Sequence, residues 1–430
     1  MISHQFAQTP FFRAMRAIRE GHLEIISDGH RQYFGDSAAT LRATVQVHNP
    51  RFFRRALLQG DIGIGEAYMD GDWTSPDVTS VIRLAVRNLT AIESSNSWFS
   101  ALSRATDAFR HTRRANTIAG SKRNISDHYD LNNDFFRLFL DSRMVYSCAW
   151  YESADDTLET AQYQKLDRAC RKLQLQPTDH LLEIGTGWGA MAIHAASHYG
   201  CRVTTTTISR EQFEYAKEQI ARAGLSSQIE LLLVDYRNLR GQYDKLVSIE
   251  MFEAVGFEFY DTFFGACDRL LTKDGTMLLQ AITMNDRKFP VYRKRADWIQ
   301  KYIFPGSELA SISGVCASLA RATTLSLFNA EDMGTHYART LAAWRERFHD
   351  ALPSVKALGF NDRFIRMWDF YLAYCEGAFL ERHISDVQFL LTKSYSQKNL
   401  LNEPWDAIPA PRSEPADPAV TLYAQPRATG

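Results

Sequence analysis

At 430 residues, with 45% hydrophobic and 23% charged side chains, the chain has the composition of a globular protein of about two or three domains and not of a disordered or fibrous one. Its 49 basic and 50 acidic residues give a net charge of −1, which excludes a global attraction to nucleic acid or anionic membrane and leaves only local patches. The six cysteines form no C-x-x-C pair and no Cys/His cluster, so no metal site and no disulfide framework is expected, and a reducing cytoplasm fits. The N-terminus has no signal-peptide h-region, and no run approaches the roughly 18 apolar residues of a membrane-spanning helix, so any membrane contact is expected at the surface.

In chain order, residues 1–100 read as a small α+β domain. Thr44 to His48 alternates like a strand, and Asn49 to Trp73 reads as a helix followed by a turn region punctuated by glycine. Residues 101–124 form a basic linker in which Arg104, Arg110, Arg113, Arg114, Lys122 and Arg123 face the single acid Asp107. It reads as a solvated linker helix or as a patch for anionic lipid headgroups, where each clustered cation gains about 1 kcal/mol.

From about 125 to 285 strands alternate with helices. The strands are expected at His180–Ile184, Arg202–Thr207, Ile229–Val234, Asp244–Ile249 and Thr276–Ile282, with helices over 190–199, 209–223 and 258–271. This pattern predicts an α/β doubly wound sheet whose ligand lies at the carboxyl ends of the strands. Residues 286–400 read as mostly helical, a lid completing one domain over 125–400. Within it Arg287 to Leu309 mixes cations with Phe289, Tyr292, Trp298 and Tyr302, which are expected to reach a membrane interface. Residues 401–430 hold six of the 13 prolines and read as a flexible tail.

The richest signal is Leu181-Leu182-Glu183-Ile184-Gly185-Thr186-Gly187-Trp188-Gly189. An apolar strand stops at three glycines spaced one apart, and a helical stretch follows. Glycine permits a tight turn with positive φ and a close approach of ligand to backbone. With Glu183 ahead of it, E-x-G-x-G-x-G resembles motif I of the S-adenosylmethionine (SAM) methyltransferases. The second strand ends in Thr205-Thr206-Thr207-Ile208-Ser209 without an acid at its tip, so Thr, Ser and Gln212 would have to bond the ribose. After the third strand, Asp235 suits an adenine amino group or the cap of the next helix, with Tyr236 beside it.

These departures from the general methyltransferase pattern match one family. His128 to Tyr151, the T-I-S-x-x-Q turn at 207–212, Asp235-Tyr236-Arg237, Ser248 to Gly256 and the helix His336 to Phe348 resemble, in order, the motifs of cyclopropane-fatty-acyl-phospholipid synthases and mycolic-acid methyltransferases. The segment Asn49 to Trp73 is similar to the extra N-terminal domain of the phospholipid-acting members, for which lipid binding and a homodimer are implied.

The resemblance implies methyl transfer from SAM to the double bond of an unsaturated phospholipid acyl chain, by an enzyme peripheral to the inner membrane surface in the cytoplasm, with no nucleic-acid partner. Cyclopropane is the leading product and a methylene or methyl-branched chain the alternative. Cofactor contacts are implied for Tyr146, Ser147, Glu183, Gly185, Thr186, Gly187, Trp188, Gly189, Thr207, Ile208, Ser209, Gln212, Asp235 and Tyr236. The alkene is a weak nucleophile, so the reaction needs alignment and a dry pocket, and the resulting cation must lose a proton. The resemblance implies a bound bicarbonate as base, held by Cys148 through its backbone N–H, Glu253, Gln280, Ile282 through its backbone and Tyr337.

Two residues depart from the ring-forming pattern. Gln280 stands where such relatives usually carry His, and Glu250 where they often carry Gly. Gln can donate a hydrogen bond to an anion but cannot shuttle a proton near neutral pH.

Overall fold

The computed structural model describes residues 4–95, 133–294, 296–396 and 400. The basic linker and proline-rich tail, and the start of the motif at 128–132, lie outside the described residues. The chain divides into two compact units. One takes in Met1–Arg114, Arg287–Pro305 and Leu341–Ile384; the other takes in Ala115–Asp286, Gly306–Thr340 and Ser385–Gly430.

The first unit carries a four-stranded sheet of β1 (His22–Ser27), β2 (His30–Gly35), β3 (Arg42–Val47) and β4 (Trp73–Thr74), in the order β2-β1-β3-β4. The β1–β2 hairpin turns on Asp28-Gly29, both at positive φ (49° and 77°), the two-residue turn that suits the twist of paired strands. The segment expected to be helix and then turn is instead one helix, Arg51–Met69, interrupted at Gly60. Its later glycines serve packing. A Cβ on Gly65 would stand 2.4 Å from the Trp298 ring and 2.9 Å from that of Phe370.

That packing corrects the reading of the basic-aromatic stretch. Trp298 is fully buried and Phe289 is buried, Tyr292 is half-buried, and the Tyr302 hydroxyl donates to Glu66 at 2.7 Å. The aromatic rings are core or tied to protein, and the exposed positions include the cations Arg287, Lys288 and Lys294 together with Pro290 and Val291. The same unit buries Asp369, on the helix Asp362–Leu380, which accepts from Tyr68 and, at 2.7 Å each, from Arg345 and His349.

The second unit is built on a seven-stranded sheet of β5 (His180–Ile184), β6 (Arg202–Thr206), β7 (Ile229–Leu232), β8 (Tyr243–Ile249), β9 (Leu271–Met284), β10 (Leu325–Asp332) and β11 (Ile384–Lys393). Its order is β10-β11-β9-β8-β5-β6-β7. The pairs β5/β6, β6/β7, β5/β8 and β8/β9 are parallel, and β10/β11 is antiparallel. The helices Ala190–Tyr199, Arg210–Arg222 and Tyr260–Leu270 link the parallel strands, as expected of a doubly wound fold.

Apolar residues on both faces hold the sheet. Leu182, Leu246 and Leu279 pack with Phe252 and Phe263 on one side, while Leu181, Val247 and Leu278 pack with Ala192 and Ile220 on the other. Chain order reverses between β5 and β8, which places the switch point of the sheet at their carboxyl ends. Strands β10 and β11 fall in the region expected to be mostly helical. β11 is buried continuously from Asp386 to Leu391, so it lacks the alternation that marks a half-exposed strand.

Candidate active site

Two turns meet the switch point, one after β5 and one after β8. The first is the glycine turn. Gly185, Gly187 and Gly189 all have positive φ (102°, 52° and 97°). Thr206 accepts from the N–H groups of Gly185 and Thr186, and Gly189 caps the helix Ala190–Tyr199. A Cβ on Gly187 would meet no protein atom within 4 Å, so the backbone there is open to a ligand. Gly185 and Gly189 are instead hemmed in by Met251 and Ala216, at 3.0 and 3.3 Å from such a Cβ.

Glu183 lies beneath this turn. It is buried, accepts from Thr205 at 2.5 Å, and Thr205 in turn bonds Thr186 at 2.7 Å. Burial pushes its carboxyl up to about 8. Glu183 thus braces the turn from within the sheet. Trp188 is buried and donates to Asn133 at 2.7 Å, with its ring 5.1 Å from that of Phe136, which also meets Tyr146 at 5.4 Å.

The T-I-S-x-x-Q turn is internally bonded. Ser209 caps the helix Arg210–Arg222, and Thr207 donates to the Gln212 carbonyl oxygen at 2.9 Å while accepting from the Ser209 N–H. Of the two readings of Asp235, the cap is seen. It accepts from the Arg237 N–H at 3.0 Å and from the Arg237 guanidinium at 2.8 and 2.7 Å. Tyr236 stands edge-on to Phe263 at 5.3 Å. Ser147 uses its carbonyl to accept from Gln162 and its hydroxyl to accept from Lys165, both at 2.8 Å.

The second turn carries two acids. β8 ends at Ile249, and Glu250 reverses the chain at φ 46°, a left-handed conformation rare for a residue with a Cβ. A short 3-10 turn, Phe252–Ala254, follows, anchored by Phe252 among Tyr260, Phe263 and Phe264. Glu250 and Glu253 therefore sit three residues apart on one fixed turn.

The five residues expected around bicarbonate do converge here, but on protein carboxylates. Glu250 Oε1 accepts from the Cys148 N–H at 2.7 Å and from Gln280 Nε2 at 2.8 Å, and Glu250 Oε2 accepts from the Tyr337 hydroxyl at 2.6 Å. The Ile282 N–H donates to Glu253 Oε1 at 2.6 Å. Glu253 Oε2 is buried with no hydrogen-bond partner among the described residues. Cys148 takes part through its backbone as expected, while burial pushes its thiol well above its ordinary range.

Five residues here have no place in the sequence reading. Gln280 Nε2 also donates to Asp386 Oδ2 at 2.8 Å, and Gln280 Oε1 accepts from Gln388 Nε2 at 3.0 Å. Gln388 Oε1 accepts from Lys172 Nζ at 2.6 Å, and Lys172 is paired with Glu331. This relay fixes which end of the Gln280 amide faces the acids. Lys165 is buried nearby and its charge acts on both Glu250 and Asp386, as the carboxylates act on it. The i,i+2 spacing of Asp386 and Gln388 would have revealed a shared strand face, had the region not read as helix.

Burial raises all three acids. Glu253 stands at about 8, raised by burial and then by Glu250. Glu250 and Asp386 are raised by burial as well, and Tyr337, the Cys148 N–H, Lys165 and Gln280 restrain the rise at Glu250. A dry set of acids with elevated pKa can stabilise a nearby cation and accept its proton.

Known proteins resemble this chain over most of its length. The family described as mycolic acid cyclopropane synthetase matches residues 117–389. The tuberculostearic acid methyltransferase UfaA1 of Mycobacterium tuberculosis is 37% identical over 84% of this chain and 87% of its own. The cyclopropane-fatty-acyl-phospholipid synthase of Escherichia coli K12 is 38% identical over 82% of this chain and 88% of its own. The crystal structure of mycolic acid cyclopropane synthase CmaA1 complexed with SAH and CTAB superposes with a TM-score of 0.60 at 34% identity, covering 63% of this chain and 98% of that one. With an open glycine turn and a buried acid pocket at the switch point of a doubly wound sheet, this chain belongs to the mycolic acid cyclopropane synthetase family and is a SAM-dependent methyltransferase.

Proposed function

We propose that this enzyme transfers a methyl group from SAM to the double bond of an unsaturated phospholipid acyl chain. The single observation that supports this best is the buried acid pocket beside the glycine turn. Ordinary N- or O-methylation needs no cluster of three carboxylates, here Asp386 fully buried with Glu250 and Glu253 half-buried beside it, whereas attack by an alkene creates a cation that such a set stabilises. Gly185 to Gly189 would hold the methyl donor, and the carboxylates would meet the charge that develops on the chain. A phospholipid substrate is supported by the relative named as a fatty-acyl-phospholipid synthase. No helix among the described residues is long and apolar enough to cross a membrane, and we place the enzyme at the inner membrane surface, in the cytoplasm.

Ring closure to cyclopropane is the first reading of the product. A second, proton loss after a 1,2-hydride shift to give a methylene or a methyl-branched chain that is still unsaturated, is favoured by Gln280 and Glu250 standing where ring-forming relatives usually carry His and Gly. The bicarbonate expected as base does not fit the residues found. The donors expected to hold it already serve Glu250 and Glu253.

The test is incubation of the purified chain with SAM and vesicles of unsaturated phospholipid, followed by mass spectrometry of the acyl chains. The expected result is a gain of one CH2 unit, and the fragmentation pattern separates ring from methylene. Vesicles that gain no mass while SAM is consumed on a soluble acceptor would refute the lipid substrate.

A further inference from the structure

Glu250 holds the position that an external anion would otherwise need. Three donors from three separate segments converge on its carboxylate, at 2.6 to 2.8 Å. Oε1 takes two of these bonds and Oε2 takes one, so Oε2 keeps a lone pair for a proton. The Gln280 amide cannot turn away, because Gln388 donates to its oxygen and Lys172 holds Gln388.

The backbone points the same way. Glu250 sits at φ 46°, a left-handed conformation that is strained for a residue with a Cβ and free for glycine. Glycine would relax this turn. The strain is kept by the bonds of the side chain, and strain of this kind concentrates at functional positions.

We propose that the Glu250 carboxylate is the resident base of this enzyme and takes the place of a bound bicarbonate. This rests on the reaction proposed above. Methyl transfer breaks the S–CH3 bond, the π pair of the alkene forms the new C–CH3 bond, and the neighbouring carbon is left cationic. Glu250 Oε2 then removes a proton from the added methyl group. The C–H pair closes the three-membered ring onto the cationic carbon or, after a hydride shift, becomes the second bond of C=CH2. Glu250 is left as the neutral acid and gives its proton to water before the next turnover. Lys165, Glu253 and Asp386 are the charged or titratable groups that interact with it, with Cys148 and Tyr337 beside them. Burial in this company makes Glu250 a stronger base than a free carboxylate.

The experiment uses the full chain, SAM and unsaturated phospholipid vesicles, in buffer stripped of carbon dioxide and then supplemented with bicarbonate. The wild type should turn over at the same rate in both. Glu250→Gly should keep its affinity for SAM by titration calorimetry, lose on the order of a hundredfold in turnover without bicarbonate, and recover when bicarbonate or formate is added. Glu250→Gln, which keeps the shape but not the base, should be inactive with or without either anion.

A wild type that stops without bicarbonate overturns the proposal. So does either variant working like wild type in stripped buffer. A Gly variant that binds SAM but is restored by neither anion would make the role of Glu250 structural and overturn it too. If Glu250→Gly fails to bind SAM, the Gln variant carries the test by itself. If the wild type makes no lipid product under any condition, it is the proposed reaction that fails.

Discussion

Each unit of the chain buries carboxylates, and the two sets are built in opposite ways. In the first unit, burial pushes Asp369 up, but the hydrogen bond from His349 and the charge of Arg345 bring it down to about 2. Its charge is met on the spot by the Arg345 guanidinium. In the second unit, Glu250, Glu253 and Asp386 share donors that are mostly neutral: two backbone N–H groups, a tyrosine hydroxyl and one amide. Lys165 donates to the Ser147 hydroxyl rather than to the acids. The result is Glu253 at about 8 with its neighbours raised beside it. Burial alone therefore does not mark a base. The first centre spends its charge on stability, and the second keeps basicity available for a substrate.

Substitutions should separate the two centres. The largest effect is expected for Asp369→Ala, which strands Arg345 and His349 and should cost about 3–5 kcal/mol of stability, read by denaturant unfolding. The folded fraction should still bind SAM with wild-type affinity; unchanged stability would erase the contrast. Next, Glu253→Gln should leave stability equal or higher, yet lower turnover on the order of a hundredfold with SAM affinity preserved. An active Gln variant would remove Glu253 from the chemistry.

Tyr337→Phe deletes one hydrogen bond to a charged group, worth about 1.5–3 kcal/mol, and should slow turnover by roughly tenfold or somewhat more. The smallest effect concerns pH. Glu183 and Glu253 are raised to about 8, so the stability they contribute is full below the ordinary carboxylate range and is lost as pH rises through about 8. Asp369 has the opposite sign, contributing above about 4 and failing as pH falls through about 2. The melting temperature should fall by a few degrees between about pH 5 and pH 8, and Glu183→Gln should flatten that slope.

Much of the second unit was legible in the sequence because its signals are local. The helix at 190–199 and the strand His180–Ile184 have the bounds that their apolar runs and glycine flanks predict. Cys148, Gln280, Ile282 and Tyr337 were found through motif resemblance, and they do converge. What they converge on was not legible, since the partner depends on four segments meeting at a turn whose φ no pattern encodes. Glu250 was visible only as an acid in place of glycine. The strand β11 was missed because a strand buried on both faces has no period of two, and β10, largely exposed or half-buried, shows no clean alternation either. Trp298 was misplaced for a related reason. Next to lysines and arginines an aromatic ring reads as interfacial, and only the missing Cβ of Gly65 shows where it lodges.

That glycine has a consequence for how the protein comes to exist. The first unit is completed by Trp298 and Phe370, which arrive more than 200 residues after the helix they settle on. A ribosome finishing residue 100 has made the sheet and the helix Arg51–Met69 but not the rings that cover Gly65. The N-terminal segment must wait, with an apolar face exposed, while strands β5 to β9 are synthesised, and contacts of such long sequence separation form slowly. A fragment ending near residue 100 should therefore aggregate or stay partly unfolded, and residues 287–384 supplied as a separate chain should rescue it.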